Sequence, residues 1–213
     1  MRRTQLIAGA AGLLLCAAAL SGPAPMATAA DPADPDWPCI QRKVPQVSPG
    51  MVWAGPPVEE LEADWRQDVE VSQLAGTIAR RAVPPGEAER LIADFAAGLD
   101  EERNEKLTLL FDATLSIINS ERGSLIAGIS RYARRQAALA ERIHDMTATL
   151  NELPADGSNE IQAKREELQE ALVWDTRIFE EREQSLQYVC EQPVMLEQRI
   201  FRLARAIMAQ LEE

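Results

Sequence analysis

The chain has 213 residues and carries 22 Lys+Arg against 34 Asp+Glu, which gives a formal net charge of −12. Because phosphate backbones are bound by basic surfaces, this balance argues against nucleic acid as a partner. Aromatic residues make up 5% of the chain, and β-branched residues are sparse after residue 60, which disfavours an all-β fold. We therefore expect an all-α protein with one domain, or one domain and an extension.

Residues 1–29 have the features of a secretory signal peptide. Arg2 and Arg3 precede an apolar run over residues 6–20, and residues 27–29 (Ala-Thr-Ala) form a small-x-small cleavage site. The run is shorter than the roughly 20 residues that a membrane-spanning helix needs. We expect a periplasmic or secreted protein without a membrane span after cleavage. The alternatives are an uncleaved anchor and lipidation at Cys16.

Cys39 and Cys190 remain after processing. An even count in an oxidising compartment predicts one disulfide, and the alternative is two unrelated buried thiols. The bond would tie an irregular N-terminal arm to a helical body. A redox-catalytic role is not expected, because neither cysteine belongs to a C-x-x-C motif.

The N-terminal arm, residues 30–57, cannot form a continuous helix because it is rich in proline. Its apolar side chains nevertheless indicate that it packs on the helical body. The alternative is a mobile tail whose tryptophans bind a partner. The apolar residues are Trp37, Cys39, Ile40, Val44, Val47, Met51, Val52 and Trp53.

Everything after Pro57 has helical periodicity. We predict a first helix that starts at Pro57 and is broken at residues 83–86, where Val-Pro-Pro-Gly stands. A short second helix ends at Gly98, and Asp100 is the predicted N-cap of the next one. Apolar positions of the first helix recur at spacings of three and four: Val58, Leu61, Trp65 and Val69.

Two long segments, residues 101–153 and 159–212, have the alternating spacings of four and three that are typical of a coiled coil. The first seam comprises Leu107, Phe111, Thr114, Ile118, Leu125, Ile129, Tyr132, Gln136, Leu139, Ile143, Met146, Leu150 and Leu153. The second comprises Ile161, Arg165, Leu168, Leu172, Asp175, Phe179, Arg182, Leu186, Val189, Pro193, Leu196, Ile200, Leu203 and Ile207. The first seam departs from the alternating pattern once, because Leu125 and Ile129 follow Glu121 at two successive intervals of four. Gly123 and Gly128 lie at this point and favour a kink or a close contact.

The turn at residues 154–158, with Asn159 as the predicted N-cap, makes the two segments antiparallel neighbours. Facing residue numbers should then sum to about 312, which places Cys190 beside residue 122. We predict a helical body of residues 58–124 and 186–213, from which residues 125–185 project as a coiled-coil hairpin. The alternative is a compact four-helix bundle without a projection.

The coiled-coil hairpin carries the candidate partner-binding residues. A basic stretch there is expected to pair with acids of the facing helix, such as Glu180 and Glu181, or alternatively to bind an anionic partner. The stretch comprises Arg131, Arg134, Arg135 and Arg142. Trp174 either covers small alanines or anchors a binding surface, because tryptophan is enriched at interface hot spots. The candidates are Trp174, Arg131, Arg134 and Arg135.

We expect no catalytic residue, metal site or cofactor. His144 is the single histidine, whereas metal and acid–base sites usually need more such groups. Nucleophile motifs such as G-x-S-x-G and glycine-rich phosphate loops are absent from the sequence.

Two stretches carry a family resemblance. Residues 37–45 (WPCIQRKVP) and 188–193 (YVCEQP) resemble the signature stretches of an uncharacterised family of secreted helical proteobacterial proteins. The resemblance implies a pairing of Cys39 with Cys190 and implies no activity. The predicted architecture is also similar to that of periplasmic holdase chaperones with helical tentacles, although those tend to be basic on the tentacles.

The function expected from these features is that of an exported, non-catalytic accessory or scaffold protein that binds a protein partner through its coiled-coil hairpin. The alternatives are a periplasmic holdase-type chaperone, and a small-ligand carrier or enzyme with a pocket in the helical body beneath Trp37 and Trp53. The sequence leaves the partner's identity and the oligomeric state open.

Overall fold

The computed structural model describes residues 34–212, so the predicted signal peptide lies outside the described residues. Over that range the chain is all-helical, with no strand, which confirms the expected fold class. The elements are α1 (Pro49–Val52), a 3₁₀ turn (Val58–Glu60), α2 (Val69–Ala79), α3 (Pro85–Ala97), α4 (Arg103–Glu152) and α5 (Asn159–Met208).

Helices α4 and α5 each have 50 residues and form the predicted antiparallel hairpin. The N-cap of α5 is Ser158, one residue before the predicted position, and its hydroxyl accepts from the backbone N–H of Ile161 at 3.4 Å. A Cβ at Gly157 would lie 2.7 Å from the Ile161 side chain, so the turn requires glycine there. Arg165 donates to the carbonyls of Leu150 and Leu153, at 3.0 and 2.7 Å, and satisfies the end of α4.

The predicted seams face each other along the hairpin, and their members are buried or half-buried except Arg182, which is exposed. The register differs from the prediction. Gln136 Nε2 donates to the Phe179 carbonyl at 2.8 Å, and Arg142 pairs with Asp175, so facing numbers sum to about 315. Cys190 consequently packs beside Ile126 and Ile129 rather than beside residue 122.

Helix α4 continues without a break through residues 121–128, where the spacing of the seam slips. A Cβ added at Gly123 would meet no side chain and no other element within 4 Å, and one at Gly128 would meet only the Arg131 guanidinium, at 3.8 Å, so the predicted close contact is not made at either glycine. Helix α5 also continues through Pro193, which is buried. Because proline has no N–H, the Val189 carbonyl lacks its usual intrahelical donor at this point.

The prediction that the first helix starts at Pro57 is wrong. Helix α2 begins at Val69, where the Asp68 carboxylate accepts from the Val71 N–H at 3.0 Å. Asp64 likewise accepts from the Arg66 backbone N–H at 3.0 Å. Such local bonds offer the backbone an alternative to the helix, which explains why the apolar periodicity before Val69 did not produce one.

The N-cap prediction for α4 also fails. The residue that precedes this helix is Glu102, and its side chain makes no capping bond. Asp100 contributes only its backbone carbonyl, which accepts from the Arg103 N–H at 3.1 Å.

The main core lies where α2, α3, the first part of α4 and the last part of α5 meet. Its α4 and α5 members fall within residues 107–118 and 196–207. Between Ser130 and Cys190 the only buried residue is Leu139. The hairpin is therefore densely packed at one end and forms a two-helix structure at the other. The domain boundaries at 124/125 and 185/186 stay a prediction.

Candidate functional site

The predicted disulfide joins Cys39 to Cys190, with an S–S distance of 2.01 Å and a Cα–Cα distance of 5.5 Å. Both cysteines are buried and form a small cluster with Trp37, Ile126 and Ile129, separate from the main core. The bond spans 151 positions in sequence and joins the N-terminal arm to α5 at Cys190, within the segment predicted to belong to the helical body.

Two further contacts hold the N-terminal arm on the helical body. The Asn119 amide both accepts from the Val47 N–H and donates to the Val47 carbonyl, each at 2.9 Å. The Trp53 ring stacks on Phe111 with centroids 4.1 Å apart and planes 7° apart. The arm therefore packs on the body.

The arm packs on the body through only some of its apolar residues. Trp37, Val47 and Val52 are buried. Ile40 and Met51 are exposed.

A buried arginine, Arg122, joins the arm to both long helices and was not singled out from the sequence. Its guanidinium donates to the Val44 carbonyl, to the Pro193 carbonyl at 3.4 Å and to Glu197 at 3.2 Å. The side chain is 5% exposed, so these partners compensate its desolvation. The available signal was an arginine beside the slip in the seam, but one of its backbone partners, the Val44 carbonyl, lies on an irregular segment.

A groove of about 620 Å³ lies between the N-terminal arm and α5, next to the disulfide. Apolar side chains of both elements line it, and guanidinium groups stand among them. Its lining residues include Trp37, Arg42, Val44, Arg122, Glu197, Phe201 and Arg202.

The basic stretch of α4 pairs with an acid of the facing helix at one position, Arg142 with Asp175, and not with Glu180 or Glu181. Arg134 binds Asp36 of the N-terminal arm at 2.6 Å. Glu181 binds Arg177 of its own helix at 2.9 Å. Glu180 and Glu181 occupy the exposed face of α5, away from the seam.

The remaining candidate arginines, Arg131 and Arg135, are exposed on α4. Trp174 is exposed on α5 and lies near the level of Arg142, as the pairing of Arg142 with Asp175 shows. At 1.5 Å per residue this level is about 16 Å along the helix axis from Arg131. The structure thus does not gather the four candidates into one patch.

Trp174 exposes 57% of its surface, and its neighbour Val173 exposes 69%. More than half of the Trp174 surface is therefore accessible to a partner. We call these two consecutive, exposed apolar side chains of the coiled-coil hairpin the Val173–Trp174 surface.

The surroundings of two ionisable groups, Asp34 and Tyr132, shift their pKa values. A hydrogen bond from Lys43, at 2.7 Å, lowers the pKa of Asp34. Burial raises the pKa of Tyr132, whose hydroxyl donates to the Arg182 carbonyl. This bond links α4 to α5 in the protonated state of the phenol, which is the state present at neutral pH.

In the part of the chain that the structure describes, no group of three or more His, Cys, Asp or Glu side chains could hold a metal ion. Likewise, none of the helices between residues 34 and 212 combines the length and apolar character needed to cross a membrane. Comparisons with known proteins add no assignment: no protein-family model, curated protein or solved structure matches the chain.

Proposed function

We propose that the chain is an exported, non-catalytic protein-interaction factor, and that the coiled-coil hairpin carries its partner-binding surface. The observation that carries this proposal is the Val173–Trp174 surface. Exposed tryptophan is a typical hot-spot residue, because a partner can bury a large apolar area around one ordered side chain.

The construction of the hairpin supports this role. Arg142 donates to both carboxylate oxygens of Asp175, at 2.6 and 2.7 Å, and the Asp175 side chain is only 14% exposed. Bidentate pairs of this kind fix geometry as well as contributing energy. Asp175 is the residue directly after Trp174, so the pair holds that stretch of α5 at a defined register against α4.

The disulfide supports export, because such bonds persist mainly in oxidising compartments. The signal-peptide features of residues 1–29 point the same way.

The test is affinity capture with the oxidised protein from native cells, followed by measurement of the dissociation constant for the purified companion. Tyr188→Ala is the matched control, because Tyr188 is an exposed aromatic on the same helix. We expect one stoichiometric companion, retained by Tyr188→Ala and weakened at least tenfold by Trp174→Ala. Equal binding by Trp174→Ala would refute the proposal. A broad set of unfolded proteins would instead favour a holdase.

A further inference from the structure

The groove between the N-terminal arm and α5 has the volume of a ligand pocket, because such pockets typically measure about 300–1,000 Å³. It stands apart from the Val173–Trp174 surface and is not used in the function proposed above.

Apolar side chains form the walls of the groove, and a hydrogen bond holds one of them in place. Trp37 is buried, and its indole N–H donates to the Gln41 carbonyl at 2.6 Å, which fixes the ring. On the α5 side, Phe201 exposes 45% of its surface. Val44 at the arm exposes 38%. A ligand in the groove would remove this apolar surface from water, which is the main source of favourable free energy for such binding.

The charge of the groove is opposite to that of the whole chain. Three arginines and one carboxylate, that of Glu197, line it, and the buried arginine, Arg122, is paired with Glu197, which leaves two positive charges over. Arg42 and Arg202 are exposed, and neither forms an ion pair with a carboxylate of residues 34–212. In a protein of net charge −12, these two guanidinium groups provide a local positive site. Guanidinium groups bind carboxylates in a planar, two-bond geometry.

From this combination we propose that the groove binds an amphiphile with one carboxylate and an apolar body. The carboxylate lies against Arg42 and Arg202, and the apolar body lies over Trp37, Val44 and Phe201. A free fatty acid and the carboxyl terminus of an apolar peptide share this chemistry. A cationic ligand would meet two like charges, and a neutral one would gain nothing from the guanidinium groups.

The experiment is isothermal titration calorimetry of the oxidised full chain with paired probes below their micelle concentrations. Decanoate is compared with its methyl ester, and a trileucine peptide acid with its amide. We expect the acid of at least one pair to bind, and its uncharged counterpart to bind at least tenfold more weakly. Binding of decanoate but not of the peptide acid would identify the ligand as a lipid carboxylate. Binding of the peptide acid but not of decanoate would identify it as a polypeptide terminus.

Two variants distinguish binding in the groove from unspecific binding. Arg42→Gln/Arg202→Gln should weaken the acid at least tenfold, and both residues are exposed, so folding should be preserved. Arg177→Gln is the matched control, because Arg177 is an exposed arginine of α5 on the hairpin. The proposal is overturned by equal affinity for acid and uncharged probe, by unchanged affinity in the double variant, or by no binding of any probe at 1 mM, a concentration at which a specific pocket would bind detectably.

Discussion

Removal of the Cys39–Cys190 disulfide should cause a large loss of stability without changing the helical fold. The bond joins two residues that are 151 positions apart in sequence. In the chain-entropy treatment, a closed loop of that length costs the unfolded chain about 17 cal/mol/K, or about 5 kcal/mol at 25 °C. The folded state keeps its other anchors for the arm, because Asn119 still binds Val47.

The assay is urea unfolding followed by far-ultraviolet circular dichroism, at pH 7 and 25 °C. The variant Cys39→Ala/Cys190→Ala should unfold with a free energy lower by about 3–5 kcal/mol than the oxidised wild type. Reduction of the wild type with dithiothreitol should produce a similar loss, whereas the reductant should leave the double variant unchanged.

A loss below about 1 kcal/mol in both experiments would refute this reasoning. It would mean that the unfolded chain is not restricted by the bond, or that the arm separates from the body before the helices unfold. A loss in the variant but not on reduction would assign the effect to the small cavity left by the sulfur atoms.

Three further changes test other parts of the fold. Leu139→Ala should lower the free energy of unfolding by about 2–4 kcal/mol, because Leu139 is buried between α4 and α5, and an unchanged urea midpoint would contradict this. Gly55→Ala should cost about 1–3 kcal/mol, since its Cβ would lie 2.4 Å from the Trp53 ring; an unchanged melting temperature would count against that packing. Burial opposes ionisation of Asp68, but hydrogen bonds from Lys106, at 2.5 Å, and from the α2 backbone prevail and lower its pKa. Asp68→Asn keeps the cap and should lose up to about 1 kcal/mol at pH 7. Because the folded pKa lies below 3.8, this deficit should vanish as the pH falls through it, and a deficit that persists in urea unfolding at pH 2 would exclude the ion pair as its cause.

The hairpin could be predicted from the sequence because its periodicity repeats over many turns. A seam such as that from Leu107 to Leu153 averages out single polar residues and leaves little choice of partner face. Its register was less certain. The loop sets it only approximately, and side-chain bonds such as that from Gln136 to the Phe179 carbonyl then shift it by about three positions.

The beginning of α2 could not be predicted from apolar spacing, because a local competition decides it. Leu61 and Trp65 pack on the core as a helical stripe would suggest, yet the backbone there is held by Asp64 and Asp68. Aspartate is favourable in both an acidic first turn and an N-cap, so the spacing alone did not reveal which role applied.

The contacts at the candidate sites could not be predicted from the sequence either. Asn119 and Arg122 fix the arm through backbone groups of an irregular segment, and such groups have no sequence signature. The groove depends on that placement. The sequence suggested a pocket beneath Trp37 and Trp53, but only Trp37 lines the groove, because Trp53 stacks on Phe111. The exposure of Trp174 was one of two outcomes that the sequence left open.

Site-specific photo-crosslinking tests the central claim most directly, namely that the coiled-coil hairpin binds a partner at the Val173–Trp174 surface. A photoreactive residue replaces Val173 and leaves Trp174 intact, and the matched control replaces Tyr188; the two native side chains are 69% and 70% exposed. We predict one discrete crosslinked product from position 173 and none of that size from position 188. Identical products from both positions, or none from position 173, would contradict the account.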